Sequence, residues 1–320
     1  MLITIFQAQN TLGSYAGIIK KWKTFCEGKG FVACPADVKH LSEFIAQLSL
    51  DNATLSTFSK LAPALVFYHQ ANRIQEPLAI NDSFVKLLVE GAKREAAKRK
   101  PPTKKAPSLT QQEIHSIIDQ TLWKDGPGVI GASPDLVTWR TVVRLYTCYK
   151  CFCRWSCYQQ LMPNDVTFHA DHVSIEFRYA KNDQFYSGSF SFLSVIPGSP
   201  YCPRLIFSSY FTVMKFSRDL SVEFLNCRVL RSKEIFRAKP SEKLSYSNSS
   251  KDTKTLLASL GLHGNYSEKS FKVSRVSRAI DNNVPLIDVQ AHGRWKSLET
   301  PLIYTQKSLK RKLGVSNVVT

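Results

Sequence analysis

The chain has 320 residues, of which 43% are hydrophobic and 21% charged, enough for about two domains with real cores and too apolar for a disordered chain. No apolar run approaches the about 18 residues a membrane-spanning helix needs, and the start MLITIFQAQNTLGS lacks the basic flank and cleavage site of a signal peptide. The formal net charge of +18 points to a polyanion as partner. Nucleic acid is favoured over a membrane surface because no basic helix with a strong apolar face stands out.

Residues 12 to about 99 read as four helices. Tyr15, Ile19, Trp22 and Phe25 recur at helical spacing until Gly28 and Gly30 interrupt them. A second helix follows Asp37 and carries Val38, Leu41, Phe44, Ile45 and Leu48. A third runs from about Ser56 through Leu61, Leu65 and Tyr68, and a fourth from about Asn81 through Phe84, Leu87, Leu88 and Val89. Short polar turns between them make a helical bundle, residues 1–99.

A basic, proline-rich linker follows at 100–107. With the helix end before it, it presents Lys98, Arg99, Lys100, Lys104 and Lys105 around Pro101, Pro102 and Pro107. Proline stops a helix and stiffens the segment. It reads as a solvated linker, and also as a strap able to touch backbone phosphates.

Residues 108–320 form the second domain. Thr110 and Glu113 have the spacing of a capping box. Residues from about 134 to 162 read as helical and apolar. Val173, Ile175, Phe177 and Tyr179 alternate as in a half-buried strand. Lys181-Asn182-Asp183-Gln184 reads as a turn, with Phe190 and Phe192 alternating in the returning strand. Helices dominate again from Pro203, and the polar stretch 238–253 reads as a loop. The fold class is thus mainly α with a small β-hairpin or sheet, α+β.

Several side chains carry chemistry. Arg154 ends an apolar run, and its guanidinium fork can bridge two phosphate oxygens or simply snorkel off a core helix. Lys181 lies at the hairpin tip. Lys269 and Lys272 are three apart, and Arg275 and Arg278 extend them into a basic stripe read as sharing one helical face. Arg294 and Trp295 lie in His292-Gly293-Arg294-Trp295, and Tyr304 is nine residues after Trp295. The indole N–H of Trp295 can donate but not accept. His292 reads as structural.

This order of arginine, lysine, basic pair, indole and tyrosine resembles the tyrosine recombinases, the phage-integrase family, over residues of about 12 to 310. Gly293-Arg294-Trp295-Lys296-Ser297 is similar to the variant in eukaryotic mobile elements, the DIRS-like and Crypton-like members. The resemblance implies an N-terminal SAM-like core-binding bundle and a catalytic domain that together grip double-stranded DNA. It implies Tyr304 as nucleophile, forming a 3′-phosphotyrosyl link, and Lys181 as general acid. Arg154, Lys272 and Trp295 would then neutralise charge growing on the phosphate. Arg275, Arg278, Arg294 and the strap would contact DNA, with self-association into dimers or tetramers on it.

Two of the catalytic positions depart from the family. Lys269 stands where its pattern has histidine and Lys272 where it has arginine, and lysine lacks the bidentate fork. The glycine before the first arginine is replaced by Phe152 or Cys151. A site-specific DNA recombinase and a non-catalytic DNA-binding descendant are therefore both expected readings. An unrelated basic metal- or RNA-binding protein has no aromatic RNA-binding signature behind it.

Cys148, Cys151, Cys153 and Cys157 crowd together, but a helix scatters that spacing round its circumference, so buried free thiols are expected rather than a zinc site. No cofactor and no metal is expected. Reduced thiols fit a nuclear setting in a eukaryote and a cytoplasmic one otherwise.

Overall fold

The computed structural model describes residues 9–75, 78–99, 101, 106–178, 188–217, 222–232 and 235–304. Contacts divide the chain into two units, Met1–Lys104 and Lys105–Thr320.

The first unit is built from α1 (Gln9–Lys29), α2 (Val38–Leu50), α3 (Leu55–Ala71) and α4 (Ser83–Lys98). Each of the last three begins where a side-chain oxygen meets free backbone N–H groups: Asp37 for α2, Thr54 for α3 and Asp82 for α4. Trp22, Leu41, Phe58, Leu61, Leu65 and Val85 form its core. The buried face of α4 is Val85, Val89, Ala92 and Ala96, while Phe84 and Leu87 are exposed. The expected apolar phase of this helix is therefore corrected. Two alanines on the inner face make it look polar in sequence, though their small side chains pack in the core.

The second unit is arranged around α6 (Leu136–Cys151), which is buried from Trp139 to Tyr149 and again at Cys151. A helix buried on all sides belongs at the centre of a domain. Packed on it are α5 (Gln111–Thr121), α8 (Pro203–Met214), α9 (Tyr246–Ser259) and α10 (Glu268–Asp281). The capping box at the start of α5 is present: Thr110 Oγ1 accepts from the Glu113 N–H, and the Glu113 carboxylate accepts from the Thr110 N–H at 2.6 Å.

The run expected to be helical over about 134–162 is broken. Phe152 takes a left-handed conformation (φ 53) and ends α6, residues 152–154 are non-helical, and α7 (Trp155–Tyr158) is one turn. A side chain with φ above zero cannot continue a right-handed helix.

β1 (Val166–Phe168), β2 (His172–Phe177) and β3 (Ser189–Ser194) form an antiparallel sheet in that order. Val173, Ile175 and Phe177 face the core as alternation requires. In β3 the inward residues are Ser191 and Leu193, opposite Ile175 and Val173, and Phe190 and Phe192 point outward. Tyr179 and the turn 181–184 lie outside the described residues.

The expected loop at 238–253 is instead β5 (Ile235–Lys243), paired antiparallel with β4 (Cys227–Ser232), followed by α9. This helix escapes a hydrophobic pattern because the first residues of its buried face are Ser249 and Thr253, followed by Leu256 and Leu257. The two hydroxyl residues face a buried arginine. Arg144 of α6 donates to Thr253 Oγ1 at 2.7 Å and to the Ser249 carbonyl at 2.9 Å. Its Nε lies 3.5 Å from Glu268, the first residue of α10. The chain then continues through α11 (Leu286–His292) and α12 (Glu299–Tyr304).

Candidate functional site

The C-terminal helices converge on the broken end of α6. Phe152, Val276, Val289 and Trp295 form a small apolar cluster separate from the main core, with Tyr304 packed against it. The rings of Phe152 and Trp295 stack at 5.8 Å and 12°, and those of Trp295 and Tyr304 at 5.6 Å and 9°. Three aromatic rings thus lie nearly parallel, with Tyr304 outermost.

The turn after α11 sets this stack. Arg294 N–H reaches the Ala291 carbonyl and Trp295 N–H the Gln290 carbonyl, the two hydrogen bonds of a Schellman motif. Its left-handed position is Arg294 (φ 55), a place where glycine is usual. Arg294 is held there by its own guanidinium, which donates to Ser191 Oγ, to the Cys151 carbonyl at 2.9 Å and to the His292 carbonyl. It also lies 4.1 Å from the centre of the Phe177 ring. These contacts make Arg294 a strut between the sheet, the end of α6 and the turn. Gly293 serves sterically: a Cβ there would meet the Trp295 ring at 2.5 Å.

Lys272 lies under the tyrosine. It is 3% exposed, with Nζ 4.3 Å from the Tyr304 ring centre and 4.8 Å from that of Trp295. Among the described residues no carboxylate pairs with it and no hydrogen-bond acceptor meets it. Burial, then the Arg154 guanidinium, bring its pKa down from 10.5 to about 7. Arg154 lies at the start of α7, half-buried. The left-handed residue two before it is Phe152, so Phe152 rather than Cys151 occupies the position of the expected glycine.

Lys269 is exposed, Lys272 buried, and Arg275 and Arg278 half-buried. The four do not share one face, which corrects the expected stripe. Steps of three fall back about 60° each on a helix with 3.6 residues per turn. Arg275 lies 5.5 Å from the centre of the Tyr149 ring, and Arg278 lines a surface pocket with His115, Gln111 and Asp281. Lys181, Lys100, Lys104 and Lys105 lie outside the described residues. Lys98 pairs with Glu95 at 2.6 Å on the surface, and Arg99 donates weakly to the Ala53 carbonyl.

Sequence reasoning missed three participants. Phe152 forms the back of the ring stack, and only its left-handed backbone explains it. Cys153, 3.7 Å from Cys148 between the sulfurs, packs near Lys272. Lys150, whose carbonyl accepts from His292 at 2.7 Å, is held at a pKa of about 8 by burial and then by Arg275. The His292 contact agrees with its structural reading, and its burial lowers its pKa. The four clustered cysteines are buried free thiols. Among the described residues no group of three or more His, Cys, Asp or Glu is placed to hold a metal ion, and no helix is long and apolar enough to cross a membrane.

No sequence-family model matches the chain, and no curated protein sequence matches it. Solved structures do. XerH site-specific recombinase bound to difH substrate in a pre-cleavage complex is similar with a TM-score of 0.58 at 16% identity, over 96% of this chain and 79% of that one. The Tn1549 transposon integrase in complex with transposon right end DNA gives 0.57 at 9% identity, over 98% and 95%. The fold is that of the tyrosine recombinases. A lambda integrase dimer bound to a core site, at a TM-score of 0.51 and 14% identity, covers 95% of this chain and 90% of its own. The tyrosine-recombinase fold accounts for the mainly α architecture with its small antiparallel sheet.

Proposed function

We propose that this chain is a DNA breaking-rejoining protein of the recombinase or integrase type, with Tyr304 as nucleophile. The observation that carries the reading is the packing of Tyr304 against Trp295 and over Lys272, within a fold shared with recombinase and integrase structures solved on DNA. In this reading Tyr304 attacks the scissile phosphate to leave a 3′-phosphotyrosyl link and a free 5′ hydroxyl. Arg154 binds the nonbridging oxygens, Trp295 donates from its indole, and Lys181 protonates the leaving oxygen. Lys269, Arg275, Arg278 and the basic strap add phosphate contacts. The protein acts on double-stranded DNA, assembles there as dimers or tetramers, and works in the nucleus of a eukaryote or else in the cytoplasm. Gly293-Arg294-Trp295 supports placing it nearest the mobile-element members, DIRS-like or Crypton-like.

A second reading has its own support. Among the described residues no carboxylate pairs with buried Lys272, where the family pattern has a forked arginine, and Lys269 is exposed where it has histidine. Those two features fit a catalytically impaired DNA-binding descendant. A covalent trap separates the two. Wild type and Tyr304→Phe are incubated with a pool of nicked, randomised duplexes and run on a denaturing gel. A protein–DNA adduct in wild type only is the expected result. Salt-sensitive binding with no adduct in either protein supports the binding-only descendant.

A further inference from the structure

We propose that Lys272 is the proton acceptor for Tyr304: its amine takes the phenolic proton as the tyrosine oxygen attacks, and returns it when the strand is rejoined. This rests on the reading of Tyr304 as nucleophile and adds what that reading leaves open, the destination of the proton.

Nζ of Lys272 overlies the Tyr304 ring at 4.3 Å, and the hydroxyl lies at the rim of that ring. Proton transfer then requires a side-chain rotation or one bridging water, since catalytic hydrogen bonds are often long before substrate binds. Among Arg154, Arg294, Trp295, His292 and Lys269, none both accepts a proton and faces the ring. The guanidinium groups of Arg154 and Arg294 carry donors and no acceptor, and Trp295 is a donor only. His292 is turned to the Lys150 carbonyl and packs edge-on against Phe152, behind the stack. Lys269, at the expected histidine position, is exposed.

Burial and the two guanidinium groups favour the neutral form of Lys272, and the Cys153 and Cys148 sulfurs oppose them. Arg154 approaches from the turn before α7 and Arg294 from the turn after α11. The polar groups on the remaining sides are Cys148 of α6, Cys153 and Tyr304. No carboxylate among the described residues offsets the two guanidinium groups. Burial and Arg154 bring the lysine to about 7, where amine and ammonium are both accessible near neutrality.

The step balances. A bond forms from the Tyr304 oxygen to phosphorus, the phenolic proton passes to Nζ, and the bond from phosphorus to the 5′ oxygen breaks. That oxygen keeps the electron pair and takes a proton from Lys181, the expected acid. Lys272 is neutral before attack and cationic as the phosphate gains charge, so its attraction grows towards the transition state. An arginine at this position could supply the charge but not accept the proton.

The test follows adduct formation on the nicked duplex pool against pH for wild type, Lys272→Arg and Lys272→Gln. Wild type is expected to gain about tenfold in rate per pH unit on the acid side and to level off near neutrality. Lys272→Arg is expected to lose that limb and to fall about tenfold or more at pH 8, with Lys272→Gln no better. An arginine variant as fast as wild type with the same pH profile overturns the proposal and assigns Lys272 to phosphate binding. A second readout needs no DNA: the lysines are dimethylated with 13C-formaldehyde and titrated by NMR, the Lys272 signal being assigned by its loss in Lys272→Arg. Titration near neutrality is expected, and titration above about pH 10, the ordinary lysine value, overturns the proposal. No adduct in wild type overturns the nucleophile itself, whatever the lysine titration shows.

Discussion

Burying a lysine costs stability, and Lys272, which pairs with no carboxylate among the described residues, shows where that cost falls. Its folded pKa, about 7, is below the ordinary 10.5. Between those values the unfolded chain binds more protons than the folded one, so stability rises with pH. Below about pH 7 both states are protonated and the full penalty applies. Lys272→Met is therefore expected to raise Tm, most at about pH 6 and least near pH 10, at about 2–4 °C for each kcal/mol recovered. Thermal melts of both proteins across that range check it, and a pH-independent difference would refute the buried amine. Phe152 carries a second local cost, a left-handed backbone on a bulky residue. It is offset by stacking on Trp295 at 5.8 Å.

The turn after α11 shows how an element rather than a residue builds the site. Gly293 lets the Trp295 ring lie against the backbone, Arg294 takes the left-handed position, and Trp295 carries the tyrosine. Gly293→Ala adds a methyl group 2.5 Å from the ring, and overpacking of this kind costs about 1–3 kcal/mol. The variant is expected to melt lower and to shift tryptophan emission as the indole moves. An unchanged melt would show that the turn yields easily. A similar logic holds α10 in register. Arg144 reaches from the central helix to α9 and to Glu268 at 3.5 Å, and Glu268 is one turn before Lys272. Removing one partner of a buried pair leaves the other uncompensated. Arg144→Met is accordingly expected to lower stability by about 3–5 kcal/mol, read from urea unfolding.

For the whole molecule the governing quantity is the charge of +18. Duplex binding is expected to weaken steeply with salt, with a log–log slope of about −0.9 per phosphate neutralised. Arg275→Ala and Arg278→Ala are each expected to reduce that slope by about one. Arg294→Ala is expected to leave the slope alone and to lower Tm, because its guanidinium is engaged by Ser191 and the Cys151 carbonyl. A slope change in Arg294→Ala would return it to the DNA surface. Cleavage is expected to persist in EDTA, and strict dependence on a divalent cation would sink the all-protein mechanism.

Much of this was legible in the chain itself. Apolar periodicity marked the second helix and strand β2, and Asp37 and Thr110 marked helix starts. These are local signals: hydrogen bonds to the next turn, and side chains repeating on one face. Tertiary structure alone decided the rest. The α9 helix hides its inner face in Ser249 and Thr253, which are buried because Arg144 meets them from another helix. Arg294 donates to Ser191, 103 residues away, a partner that no local pattern specifies. Lys272 looked like one member of a basic stripe, and only the packing of α10 against α6, α11 and α12 buried it beneath a tyrosine. A lysine's charge state is set by the groups around it in space, and neighbours in sequence do not specify those.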